Sequence, residues 1–216
     1  MTDESSVSRE TPPVPELARG VFRDRTELAV AYAGLLCTDG VERGLIGPRE
    51  APRIWERHLL NCAVVTDGIP VGSRVIDIGS GAGLPGLVLA IRRSDLAVTL
   101  AEPLLRRSTF LSEVVGTLGL SNVEVVRARA EDLHGGAAYD VVTSRAVAPL
   151  EKLLRWSMPL ATSGGSVLAM KGSSVSDELA QARRVVHRLG GGSSVVETYG
   201  ADWLPEPTTV VRVVMS

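Results

Sequence analysis

Apolar residues along the chain follow two different periods, and the change between them divides it. From Glu16 to about Leu36 they recur at helical spacing (Leu17, Val21, Leu28, Tyr32, Leu35, Leu36), which predicts a helix. The polar, glycine-containing stretch TDGVERGLIGPRE interrupts, and a second helix is expected from about Pro52 to Val65. There Ile54, Trp55, His58, Leu59 and Cys62 share a face, and Pro70 and Gly72 close the segment. Beyond Gly72 short Val/Ile/Leu runs take over. Strands are predicted at 74–79, 97–102, 123–128, 140–145 and 166–171. Helices fit between them at about 85–93, 104–119, 149–160 and 177–189, the last with Ser176 as N-cap and three glycines as its stop. Two late β-rich runs, 193–200 and 208–214, have no helix between them.

Strands alternating with helices imply right-handed βαβ units and a parallel sheet covered on both faces. The two late runs most simply pair antiparallel. The expected architecture is α/β: a tail over 1–15, a helical cap over 16–71 and a doubly wound domain over 72–216 with an antiparallel ending.

Composition narrows the class. The 216 residues are 44% hydrophobic and 22% charged, ordinary for a packed domain, and no run approaches the ~18 apolar residues of a membrane span. The acidic, polar start has neither the basic nor the apolar region of a secretory leader. Two cysteines, Cys37 and Cys62, make neither a disulfide framework nor a zinc motif, and fit a reducing, cytoplasmic setting. The net charge is −2, so binding to nucleic acid would rest on local patches. Arginine dominates the bases, and lysine occurs only at 152 and 171, which draws attention to Lys171.

The most informative segment is VIDIGSGAGLPGLVLA (75–90). A strand ends at Ile78 and Gly79, Ser80, Gly81, Ala82 and Gly83 turn into a helix, as a backbone does when a ligand must approach closely. In an open α/β sheet this first turn is where ligands bind. Asp77 precedes the glycines, and Glu102 ends the next strand, where a carboxylate can take both hydroxyls of a ribose. A turn-capping carboxylate is the alternative for Asp77, and a solvated strand end for Glu102. A P-loop is excluded, since no Gly-Lys-Ser/Thr follows. Leu84 counts against a dinucleotide fingerprint, which wants Gly or Ala there. The D-x-G-x-G-x-G form resembles the S-adenosylmethionine site of Rossmann-like class I methyltransferases, whose sheet also ends antiparallel.

Within that class, methylation of an adenine amine wants Asp/Asn-Pro-Pro-Tyr/Phe after the fourth strand, where this chain has Ser144-Arg145-Ala146-Val147. Methylation of a pyrimidine C5 wants a cysteine nucleophile, and both cysteines lie in the cap. A ring nitrogen with a free lone pair, such as guanine N7, needs neither; positioning supplies most of the catalysis.

IDIGSGAGLPGLVLA, RARAED (127–132), TSRAVAPLEKLL (143–154) and AMKG (169–172) resemble the bacterial small-subunit rRNA guanine-N7 methyltransferase family (RsmG, also called GidB). The likeness runs from about Arg57 to Gly172. It implies transfer of a methyl group from S-adenosylmethionine to guanine N7 at position 527 of 16S rRNA. It also implies cofactor positions at Gly79, Leu84, Ala130 and Glu131, beside Asp77, Gly81, Gly83 and Glu102, and an arginine on the cofactor or RNA side at Arg145. Arg129 and Lys171 correspond to basic positions facing RNA, and Arg145 and Lys171 are the candidates for the reaction itself. The cap departs from the family: its Asn-Leu-Thr element is absent, and Asn61-Cys62 stands where many members have Asp-Ser.

Further RNA contacts are expected from Arg106 and Arg107, which open the second core helix, and from Arg183, Arg184 and Arg188 on the polar side of the last one. Each could equally belong to a solvated helix face. His58 reads as a satisfied, partly buried histidine, and Trp203, in the DWLPEP loop, is the aromatic to watch. No metal, membrane or obligate protein partner is expected, and the chain is expected to act as a monomer on the small ribosomal subunit. A non-enzymatic nucleotide- or RNA-binding module and an NAD-dependent oxidoreductase are the competing readings.

Overall fold

The structure, a computed structural model, describes residues 11–145, 148–172 and 175–216. Seven strands form one mixed sheet: β1 (Arg74–Ile78), β2 (Ala97–Ala101), β3 (Val123–Val126), β4 (Tyr139–Arg145), β5 (Ala161–Met170), β6 (Gly191–Tyr199) and β7 (Thr208–Met215). Their order is β3-β2-β1-β4-β5-β7-β6. β1 to β5 are parallel, and β7 runs antiparallel between β5 and β6. The strand order reverses at β1 and β4, so the crossovers leave in opposite directions and a crevice opens above the carboxyl ends of those strands.

The cap contains α1 (Glu16–Phe22), α2 (Thr26–Leu35) and α3 (Asn61–Ala63). The domain adds α4 (Gly86–Arg92), α5 (Leu105–Leu118), α6 (Leu150–Ser157) and α7 (Val175–Arg188). On one sheet face α6 and α7 cover Ile76, Ile78, Val142, Val167 and Val211. On the other, α4 and α5 share a single buried cluster with the cap, in which Phe22, Tyr32, Ile54 and Leu59 lie among Val75, Leu87, Leu100 and Phe110. The stretch 11–15, assigned to the tail by composition, lies against the cap, where Trp55 Nε1 donates to the Pro12 carbonyl at 3.2 Å.

Several boundaries differ from the sequence expectation. The helix predicted over 16–36 is broken at Arg23 (φ 51°), followed by a 3₁₀ turn, Arg23–Arg25. The Thr26 hydroxyl donates to the Arg23 carbonyl (2.6 Å), a local bond that competes with the helix ladder. The second cap helix is composite: a 3₁₀ turn Ala51–Arg53, a π-helical segment Ile54–Leu60, α3 and another 3₁₀ turn, Val64–Gly68. π-helical turns are rare and recur at functional sites. This one buries Ile54, Trp55, Leu59 and Leu60, exposes Glu56 and Arg57, and leaves His58 at the boundary. β3 stops at Val126, and β5 begins at Ala161 because its Ser-Gly-Gly is accommodated by a register shift against β4. Ser176 is not an N-cap, since α7 already includes Val175.

Candidate active site

β1 ends at Ile78 and the chain turns over the end of β2, where Gly79 and Ser80 N–H both donate to the Ala101 carbonyl (2.8 and 3.2 Å). Gly83 holds the turn with φ +97°, and a Cβ there would stand 2.9 Å from the Tyr32 hydroxyl. That hydroxyl, on cap helix α2, donates to the Ala82 carbonyl at 2.7 Å, so the cap grips the glycine loop from behind. Burial raises the Tyr32 pKa well above its ordinary value, keeping it a donor.

In front of the loop lies a cleft of about 580 Å³, a size usual for small-molecule sites. Gly79, Gly81, Leu84, Glu102, Ala130, Glu131 and Arg145 all line it, so seven of the expected cofactor positions come together. Glu102 is buried at its inner wall: Oε2 accepts from Gly81 N–H and Oε1 from Leu104 N–H, both at 3.0 Å. Those two bonds fix the carboxylate and leave lone pairs toward the cleft. The hydroxyl pair of a ribose fits such an acceptor, and the open backbone at Gly81 leaves room beside it.

Asp77 and Gly83 do not line this cleft. Asp77 is fully buried behind the loop, where Oδ2 accepts from Gly86 N–H at 3.0 Å, the turn-capping arrangement. Its Oδ1 has no hydrogen-bond partner, and burial pushes its carboxyl up to about 7 against the pull of the Gly86 amide. Cys62 is buried within the field of Asp77 and Arg145, and burial pushes its thiol up to about 11. It stays protonated, which removes it as a nucleophile although it lies nearer the site than its cap position suggested.

Of the expected RNA-facing residues, Arg107 and Arg129 line the small-molecule cleft, with Arg107 Nη1 4.0 Å from Glu102 Oε2. The Arg106 guanidinium donates to the Arg43 carbonyl of the cap. Arg183, Arg184 and Arg188 are exposed on α7 and line neither this cleft nor the next. Sequence reasoning missed Leu45, Ile46 and Trp156 on the first cleft. Leu45 and Ile46 had a signal, being adjacent large apolar residues inside an otherwise polar stretch.

A second, larger cleft of about 1,030 Å³ opens between the cap, the ends of β4 and β5, and the loop before β7. Arg53, Arg57, His58, Lys171 and Trp203 line it. Lys171 Nζ is mostly engaged, donating to the Ala148 carbonyl (2.8 Å) and to Glu178 Oε2 (2.9 Å), and the same carboxylate accepts from Leu150 N–H at the start of α6. Trp203 is 44% exposed, and its loop is held by Trp203 and Leu204 N–H on the Gly200 carbonyl. Among the described residues, Arg145 alone lines both clefts. Its Nη1 donates to the Arg57 carbonyl (3.3 Å) and its Nη2 to His58 Nδ1 (2.9 Å).

No group of three or more His, Cys, Asp or Glu among the described residues is placed to hold a metal ion, and no helix among them is long and apolar enough to cross a membrane. A sheet of this order with an antiparallel β7, and a glycine loop facing a fixed carboxylate at its carboxyl edge, define the Rossmann-like class I methyltransferase class. The precorrin-6y C5,15-methyltransferase of Geobacter metallireducens shares that fold, with a TM-score of 0.53 at 16% identity over 72% of this chain and 87% of that one. The family described as rRNA small subunit methyltransferase G, GidB, matches residues 25–202, and the chain belongs to it. A ribosomal RNA small subunit methyltransferase G of Nocardioides sp. is 59% identical over 99% of this chain and 85% of its own. That of Salinispora tropica is 59% identical over 94% and 88%.

Proposed function

We propose that the chain transfers a methyl group from S-adenosylmethionine to N7 of a guanine in 16S rRNA, at position 527 by family resemblance. It would act as a monomer on the small ribosomal subunit in the cytoplasm. The observation that carries this reading is the place of Arg145, between a cleft suited to a nucleoside and a second cleft that opens outward.

When bound, S-adenosylmethionine supplies an electrophilic methyl group on a sulfonium. Glu102 is set to accept the ribose hydroxyls, and Ala130, Glu131 and the Leu104 rim flank the space left for the base. Gly79 and Gly81 leave the backbone open beside the remainder. Guanine would enter the second cleft, where Arg145 can donate to its edge or to a phosphate. N7 carries no proton to be removed, so the junction calls for no general base. Its one imidazole, His58, already uses its lone pair on Arg145. Alignment of donor and acceptor is then the main source of rate. Arg53, Arg57, Arg145 and Lys171 line the second cleft beside Glu50, Glu56 and Glu206, so phosphate contact there rests on individual cations rather than on a strongly basic patch. Arg106, Arg183, Arg184 and Arg188 offer outer phosphate contacts.

The test is incubation with labelled S-adenosylmethionine and small subunits from a strain deleted for the gene, followed by reduction and aniline cleavage of the rRNA. Transfer with a single scission in 16S rRNA is expected. Transfer without scission would discard N7, and no transfer to subunits at any magnesium level would discard the enzyme reading.

A further inference from the structure

Arg145 reaches the junction of the clefts from the last residue of β4, and an arginine on a strand end is free to swing unless something holds its far end. What holds it is a chain of three side chains. Arg145 Nη2 meets His58 Nδ1 at 2.9 Å, and His58 Nε2 meets Glu50 Oε2 at 3.1 Å. A guanidinium has no acceptor, so Nδ1 must present its lone pair. The imidazole proton therefore sits on Nε2 and is donated to the Glu50 carboxylate. The direction of both bonds is fixed, and His58 is the neutral Nε2–H tautomer.

The surroundings favour the neutral form. Three charged groups face the ring: Glu50 from the preceding turn, Arg57 on its own segment and Arg145 from β4. Burial and Arg145 lower the His58 pKa below its ordinary value, and Glu50 opposes them. The Arg57 carbonyl takes Arg145 Nη1 at 3.3 Å, so the guanidinium is held at two points on the π-helical segment, one backbone and one side chain.

We propose that His58 is the positioning residue for Arg145, and that the Glu50–His58–Arg145 chain aims the guanidinium at the junction where the two clefts meet. The proposal rests on the methyl-transfer reading of that junction. Protonating His58 removes the only lone pair on the ring and sets a second cation against the arginine. The aim of Arg145 is thus lost on the acid side of the His58 titration and present above it.

Two substitutions separate positioning from bulk. H58A removes the acceptor and should lower kcat about 10–100-fold while KM for S-adenosylmethionine stays within a factor of two. H58N restores a neutral acceptor, its amide oxygen standing near the place of Nδ1. It should recover most of the lost rate and abolish the acid limb expected of the wild type below the ordinary histidine range. A wild-type kcat and acid limb in H58A would overturn the proposal, as would an acid limb unchanged in H58N. A readout independent of methyl transfer is ¹⁵N NMR of the labelled histidines, with the His58 signals identified by their absence in H58N. The wild type should show the Nε2–H tautomer at pH 7.5, and R145Q should raise the His58 pKa. An Nδ1–H tautomer, or a pKa unmoved by R145Q, would overturn the chain of bonds even if the protein methylates rRNA. The expected tautomer in a protein without transferase activity would instead fault the functional reading.

Discussion

The two clefts that meet at Arg145 are built in different ways. The first is made largely of one run of the fold: the turn after β1, the end of β2, the start of α5 and the turn after β3. Its polar groups are fixed by the backbone, since Gly81 and Leu104 N–H hold Glu102 and Ala101 holds the glycine turn. The second gathers Pro15, the π-helical segment, the ends of β4 and β5, the loop before β7 and the first residues of β7, segments drawn from almost the whole length of the chain. Its cations are held by side chains and carbonyls from distant segments, Arg145 by His58 and the Arg57 carbonyl, Lys171 by Glu178 and the Ala148 carbonyl. The first cleft can thus be written into local spacing, whereas the second has to be assembled by the tertiary fold.

The largest effect should come from the residue the clefts share. R145Q should lower single-turnover methyl transfer about 10²–10³-fold, the scale for losing one preorganised cationic donor, with little change in thermal stability. A loss confined to KM for S-adenosylmethionine would assign Arg145 to the first cleft alone. Next is Asp77, behind the first cleft. Its folded pKa of about 7 lies above the unfolded value near 3.8. The native state therefore holds the proton more tightly, and the associated stability is present at low pH and lost as pH rises through 7. Urea unfolding should find the wild type weaker at pH 8 than at pH 4 by about 1–4 kcal/mol from this group, and D77N largely free of that slope. W203A comes third, a change to the second cleft alone. It should weaken binding of small subunits about five- to tenfold, as loss of one stacked base would, and leave S-adenosylmethionine affinity unaltered by titration calorimetry. If both affinities fell, the clefts would not be separable. The smallest effect is expected from replacing Arg183, Arg184 and Arg188 together by Gln. The salt dependence of subunit binding should flatten, with kcat within twofold of wild type.

The same contrast explains what could be read from the chain. Each of the seven strands was visible: β1, β2, β4, β5 and β7 as apolar runs that report burial, and the edge strands β3 and β6, which bury no residue, as short β-branched runs bounded by turn residues. The glycine loop and Glu102 were legible because each sits at a fixed offset from a strand end, whereas Ala130 and Glu131 came only from the family resemblance; all of them except Gly83 line the first cleft. Breaks within helices were not: Arg23 at φ 51° and the π-helical Ile54–Leu60 leave the apolar period almost undisturbed. Arg145 and Lys171 could be placed on the rim, but not the partners that hold them, since His58 lies 87 residues before Arg145. Arg107 and Arg129, expected as RNA contacts, line the first cleft, a placement the sequence did not show because a charge at a helix start or after a strand does not reveal which way its side chain leaves.

The cap and one face of the sheet bury their apolar residues in a single cluster, and Tyr32 ties the cap to the glycine loop. Walls joined in this way have no dry seam along which to slide apart, so little of the second cleft's shape is left to be induced on contact. On the proposed reading, the guanine that enters it must already be able to swing out from its neighbours. Timing would then belong to the RNA: the nucleotide becomes a substrate while its own stacking and pairing permit the excursion, and ceases to be one when later folding of the particle locks it away.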